Sequence, residues 1–200
     1  YYMGMFFTNI HLKTDKRDQI IDTIKEEDSV DNFFISPVLD GWVSVYDEAE
    51  VDATENVYNL ASELSGKLGC KAIVFDVYDS DICKYQLYDN GEVKDKYNSN
   101  PDYFEPTSQE EKERLKGNPE LLLPLCLQEI KVEDLRKILD DNYPSEEKRV
   151  EDLAKTLGIK NATCSYNFLQ SEGTEQTVVS WKDFWDSLEQ EKNQEAPENQ

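Results

Sequence analysis

One local carboxylate cluster outside the predicted helices is Asp76-Val77-Tyr78-Asp79-Ser80-Asp81. Mg²⁺ and Ca²⁺ are hard cations that take oxygen ligands, and Asp76, Asp79 and Asp81 at a strand end could supply three carboxylates. A metal-dependent hydrolase or transferase is the chemistry such a cluster would serve. The calcium-loop pattern of alternate acids, an internal Gly and a distal Glu is absent. Asp and Ser between two strands also bond nearby amides, so a plain turn explains Asp79, Ser80 and Asp81 and is the favoured reading.

His11 is the only histidine, so any Ser–His–Asp or Cys–His mechanism, and any imidazole ligand, must run through it. It alternates with Ile10 and Leu12 and shares its face with Asn9 and Lys13, which predicts a surface position. Carboxylate pairs could do acid–base work without it, but spacing does not single out two of the 43 acids. The sequences G-x-G-x-x-G, G-x-x-x-x-G-K-[ST] and G-x-S-x-G do not occur. No catalytic or cofactor-binding set emerges, and the balance leans away from an enzyme.

Tyr78, Tyr85, Tyr88 and Tyr97 crowd one predicted hairpin, with Tyr103 and Phe104 just beyond. A two-residue turn would set Tyr85 opposite Lys96 and Tyr88 opposite Val93. Such rings pack a sheet. Alternatively Tyr85, Tyr88, Tyr97 and Tyr103 form, with nearby carboxylates, a contact surface for a basic protein. Residues 152–165 resemble the core of a helix-turn-helix, with Leu153, Ala154 and Leu157, a turn at Gly158, and Thr163 and Ser165 opening a second helix. That second helix lacks arginine, and Glu146, Glu147, Glu151 and Asp152 surround the first, so an ordinary helical hairpin is favoured.

Charge narrows the partners. Forty-three acidic side chains face 21 basic ones, a formal charge of -22. That field repels phosphate backbones and anionic lipid heads. The expected partner is a basic protein, with no nucleic acid and no membrane. Cys70, Cys83, Cys126 and Cys164 show no paired spacing and read as buried thiols in a reducing compartment. The apolar start at residues 1–7 lacks a basic leader, and Tyr1 and Tyr2 read as a remnant ahead of Met3. A cytoplasmic location is expected.

The elements that would position these residues follow from periodicity. Residues 5–13 predict a strand, and Ile20, Ile21 and Ile24 a helix behind a Thr14 or Asp15 cap. Residues 32–36 and 42–47 predict strands joined through Asp40-Gly41. Asp52-x-x-Glu55 predicts a capped helix carrying Val57, Leu60, Ala61, Leu64 and Leu68, closed by Gly69. Strands follow at 71–78, 82–89 and 92–97, the last two flanking the type I′ signal Asn90-Gly91. Helices are expected behind Ser108, at Val132, Leu135, Ile138 and Leu139, behind Ser145, and at Trp181, Phe184, Trp185 and Leu188.

This order predicts an α+β fold: an N-terminal antiparallel or mixed sheet of ferredoxin-like strand-helix order with an extra hairpin, then a helical C-terminal half. The expected organisation is a sheet domain over 1–104, a helical region over 105–190 packed on it or forming a small second domain, and a polar tail over 191–200. The functional expectation is an acidic cytoplasmic protein-binding module of inhibitor or immunity type that recognises a basic or neutral partner. The metal-dependent enzyme, with Mg or Ca, and the helix-turn-helix regulator are the alternatives.

Overall fold

The computed structural model describes residues 4–26, 32–49, 54–172 and 177–179. The molecule is α+β. Six strands, β1 (Phe7–Lys13), β2 (Phe33–Ile35), β3 (Trp42–Asp47), β4 (Lys71–Tyr78), β5 (Ile82–Asp89) and β6 (Glu92–Asn98), build an antiparallel sheet. A three-residue strand, β7 (Thr177–Val179), pairs with β2, giving the order β6-β5-β4-β1-β3-β2-β7. The C-terminal half is therefore not wholly helical. Its Thr-Val-Val run is β-branched and suits a sheet edge.

Local turn chemistry sets the hairpins. Asp40 and Gly41, Asp79 and Ser80, and Asn90 and Gly91 all adopt positive φ. Successive left-handed residues give the type I′ twist that matches paired strands. At Gly91 a side chain is excluded as well, because its Cβ would stand 3.1 Å from the Ser62 carbonyl oxygen and 3.2 Å from Gly66 Cα.

One sheet face carries Ile10, Leu12, Val43, Val45, Ala72 and Val74. Helices α1 (Arg17–Glu26) and α2 (Thr54–Leu68) bury it with Ile20, Ile24, Val57, Ala61 and Leu64. Gly69 ends α2 at positive φ, whereas Asp52 of the expected cap lies outside the described residues. The other face carries Phe7, Trp42, Ile73, Phe75, Val77, Tyr85 and Tyr97. It is covered by Leu122 of α4 (Pro119–Leu122), Leu135 and Leu139 of α5 (Val132–Asp140), and Val150, Leu153 and Leu157 of α6 (Glu146–Leu157). Both faces being covered explains why β4 reads as a nearly continuous apolar run.

Polar contacts fasten the second layer. Trp42 Nε1 donates to the Leu157 carbonyl at 2.8 Å, and Tyr46 donates to that of Asn161 at 3.1 Å. Buried Arg149 of α6 caps the end of α5, donating to the carbonyls of Ile138, Leu139 and Asp141 at 2.6, 2.8 and 2.8 Å. Its Nε also meets the Glu146 carboxylate at 2.7 Å. Ser108 caps α3 (Gln109–Arg114), as its spacing predicts, and Gly158 closes α6 at φ 79. The face Trp181/Phe184/Trp185/Leu188 and the tail at 191–200 lie outside the described residues.

Candidate functional site: an exposed aromatic cluster with an acidic rim

His11 is fully buried, which corrects its predicted surface position. Alternation along β1 places it correctly opposite Ile10 and Leu12, but the second helical layer covers that face too. Asn9 Nδ2 donates to the carbonyls of Ala162 and Cys164 at 2.8 and 2.9 Å, so Asn9 Oδ1 must accept. It accepts from His11 Nε2 at 2.8 Å, and that tautomer leaves Nδ1 to accept from Ser44 Oγ at 2.7 Å. The chain Ser44–His11–Asn9 has the connectivity of a nucleophile, base and orienting group. Ser44 is only 3% exposed, however, so the arrangement offers no substrate approach. Burial lowers the His11 pKa to about 3, and the neutral ring is a strut that ties Asn9 of β1 to Ser44 of β3 beneath the covering layer.

The three aspartates do not converge on one point. Asp76 lies on the α2 face of β4, accepting from Tyr58 at 3.0 Å and Thr8 at 3.4 Å, with Lys84 Nζ 3.7 Å away. Asp79 forms the β4–β5 turn with Ser80, and exposed Asp81 accepts from Tyr103 at 3.2 Å. Among the described residues, no three His, Cys, Asp or Glu side chains form a group able to hold a metal ion. Ser80 knits the turn to its surroundings. Its Oγ accepts from the Met5 amide at 2.8 Å, and its carbonyl accepts from the Glu146 amide at 2.9 Å.

The tyrosine surface needs revision. Tyr85, Tyr88 and Tyr97 are buried, and only Tyr103 is exposed. Tyr85 donates to Asp95 at 2.6 Å, Tyr97 to the Leu139 carbonyl at 2.7 Å and Tyr88 to the Tyr58 carbonyl at 3.2 Å. Buried phenols need such partners, and these rings form part of the core. Tyr88 faces Val93 as expected, but a bulge at Leu87/Tyr88 shifts the register. Tyr85 consequently opposes Tyr97, stacked with centroids 5.3 Å apart, and Lys96 faces Gln86.

Among the described residues, eight cations of the second half each stand beside a carboxylate, with Lys160 paired to Asp40 of the first half. Lys112 stands beside Asp102, Arg114 beside Glu110, Lys116 beside Glu113, and Arg136 beside Asp140. Lys137 meets Asp134, Lys148 meets Glu151, Arg149 meets Glu146, and Lys160 meets Asp40. A cleft of about 610 Å³ lined by Lys112, Lys116, Arg136, Asp102 and Asp140 is accordingly mixed in sign. The residues resembling a helix-turn-helix also differ from one. Eight residues, 158–165, separate α6 from α7 (Tyr166–Ser171), and their backbone is held on the sheet by Asn9 and Tyr46. Ser165 does open the second helix, accepting from the Phe168 amide. Tyr166 and Leu169 of that helix pack on Phe34 and Tyr46.

A different set of side chains does come together at the surface. Phe6 continues β1 beside Tyr78 at the end of β4, with ring centroids 4.9 Å apart and edge to face. Phe104 lies 5.2 Å from Tyr78 and 5.0 Å from Tyr103, again edge to face. Phe104 is 64% exposed and Tyr78 42%, with Met5 and Phe6 also open. The loop presenting Tyr103 and Phe104 is fixed by its own bonds. Thr107 donates from its amide to Asp102 at 2.8 Å and from its hydroxyl to the Pro101 carbonyl at 2.7 Å. Ser99 exchanges two bonds with the Cys83 backbone, each 2.9 Å.

Asp79 and Asp81 stand at the tip beside these rings, Asp76 lies inward, and Lys84 Nζ sits 5.9 Å from the Phe104 centroid. Contiguous exposed aromatics rimmed by charge mark contact surfaces in soluble proteins. Phe104 carries a sequence signal, being a large ring between Pro101 and Pro106 in a polar segment. The joining of Phe6 to it is tertiary. Among the described residues no helix is long and apolar enough to cross a membrane, and all four cysteines are free thiols, with Cys83 alone fully buried. Compared with protein-family models, with curated proteins and with solved structures, the chain matches none.

Proposed function

We propose that the chain is a protein-binding module that engages a basic partner through Phe6, Tyr78, Tyr103 and Phe104 and their aspartate rim. The observation that carries this reading is an open aromatic cluster beside Asp79 and Asp81 on a molecule of charge -22. Aromatic rings supply rigid apolar area, and the surrounding field speeds encounter with an oppositely charged protein. An inhibitor or immunity-type protein that blocks a basic toxin or nuclease is one concrete form. The pairing of the cations with carboxylates supports a protein over a nucleic acid as partner. The free thiols fit a reducing, cytoplasmic setting. The central order β4-β1-β3-β2 supports reading the scaffold as a ferredoxin-like unit extended by the β5–β6 hairpin.

The test is affinity capture from a lysate of the source organism, with the wild type and a Tyr78→Ser/Phe104→Ser variant run in parallel. The wild type should retain a basic protein that elutes as salt rises, and the double variant should not. Equal retention by both proteins, or capture indifferent to salt, would overturn the proposal.

A further inference from the structure

Resting on that reading, we infer that the cluster receives a single cationic side chain of the partner, and that Lys84 is a resident stand-in for it. Lys84 stands opposite Asp76 across the β4–β5 pair. Its Nζ reaches 3.7 Å from Asp76 Oδ2 and 5.9 Å from the Phe104 centroid, so it already occupies the two features a cation would use. A cation is attracted to the face of an aromatic ring and gains more when a carboxylate lies behind it. The planar guanidinium of arginine suits both contacts, since it stacks on rings and forks onto carboxylates. Tyr78 packs edge to face against both Phe6 and Phe104, and Phe104 stays 64% exposed. Asp79 and Asp81 extend the negative potential outward along the approach. A second copy of this chain is disfavoured as occupant, because two molecules of charge -22 repel.

The side chain Lys84 competes with any incoming cation for Asp76 and Phe104. Lys84→Met keeps the length of the stem and removes the charge. The probes are acetyl-Gly-Arg-Gly-amide and its citrulline counterpart, which has nearly the same shape and no charge. Binding is followed through the backbone amide resonances of Tyr78, Tyr103 and Phe104 in the full chain. The arginine peptide should shift these signals at millimolar concentration and the citrulline peptide should not. Lys84→Met should tighten arginine binding by about two- to fivefold, the range expected of one exposed cation–ring contact, while Lys84→Arg should not. Equal response to the two peptides, or no gain from Lys84→Met in a protein whose remaining resonances are unchanged, overturns the inference. Should the peptides fail to differ while the Tyr78→Ser/Phe104→Ser variant still loses its captured partner, the docking surface stands and the cation site falls. The reverse pattern removes the docking reading, and with it the partner's side chain as occupant, and leaves only a cluster that binds cations.

Discussion

Lowering the pH from about 7.5 to about 5 protonates an ordinary histidine but leaves His11 neutral, because burial holds its pKa at about 3. In the unfolded chain the same ring titrates near 6.5. A folded pKa below the unfolded one means that the ring's contribution is present above 6.5 and is lost as pH falls toward 3. Each pH unit well inside that window costs about 1.4 kcal/mol, so the step to pH 5 should remove roughly 2 kcal/mol of stability. Most carboxylates titrate lower, and His11 is the only histidine, so the upper part of the window belongs to this one group. Urea unfolding followed by tryptophan fluorescence at several pH values measures the slope. His11→Gln can keep one bond to Asn9 or Ser44 but cannot titrate. It should be less stable at pH 7.5, yet its stability should change by less than about 0.5 kcal/mol between pH 7.5 and 6, where the wild type already declines. A wild type that is flat to pH 5, or a variant with the wild-type slope, would refute the buried neutral strut.

Other consequences can be checked by the same unfolding measurement. Arg149→Met leaves Glu146 buried without its cation and removes the side-chain donor to the Ile138 and Asp141 carbonyls, Leu139 keeping Tyr97, for an expected loss of about 3–5 kcal/mol. Adding Glu146→Gln to that variant should restore part of it. Asn9→Ala removes both donors to residues 162 and 164 together with the acceptor for His11, and should cost roughly 2–4 kcal/mol. Gly91→Ala combines a residue at φ 83 with a Cβ 3.1 Å from the Ser62 carbonyl oxygen, and a loss above about 1 kcal/mol is expected. By contrast Phe104→Ser, at a ring 64% exposed, should change stability by less than about 0.5 kcal/mol while weakening partner capture.

What the sequence by itself determined is the set of features that depend on near neighbours along the chain. Asp40-Gly41 and Asn90-Gly91 announced their turns because few other residues tolerate positive φ in succession. The extents of β3, β4 and β5 were legible from apolar runs bounded by turns, and Ser108, Gly69 and Gly158 from the needs of helix ends. Tertiary structure decided which polar-looking faces would be dry. Alternation places His11 on the side of β1 opposite Ile10, but only the packing of α5, α6 and the segment after Gly158 decides that this side is sealed. The same layer buries Tyr85 and Tyr97, and a single bulge moves Tyr85 from Lys96 to Tyr97. The candidate site joins Phe6, Tyr78 and Phe104 from three distant parts of the chain, where the β4–β5 turn leaves the rings uncovered. Burial is a property of the whole assembly, and a one-dimensional pattern fixes which face a residue is on without fixing what lies against that face.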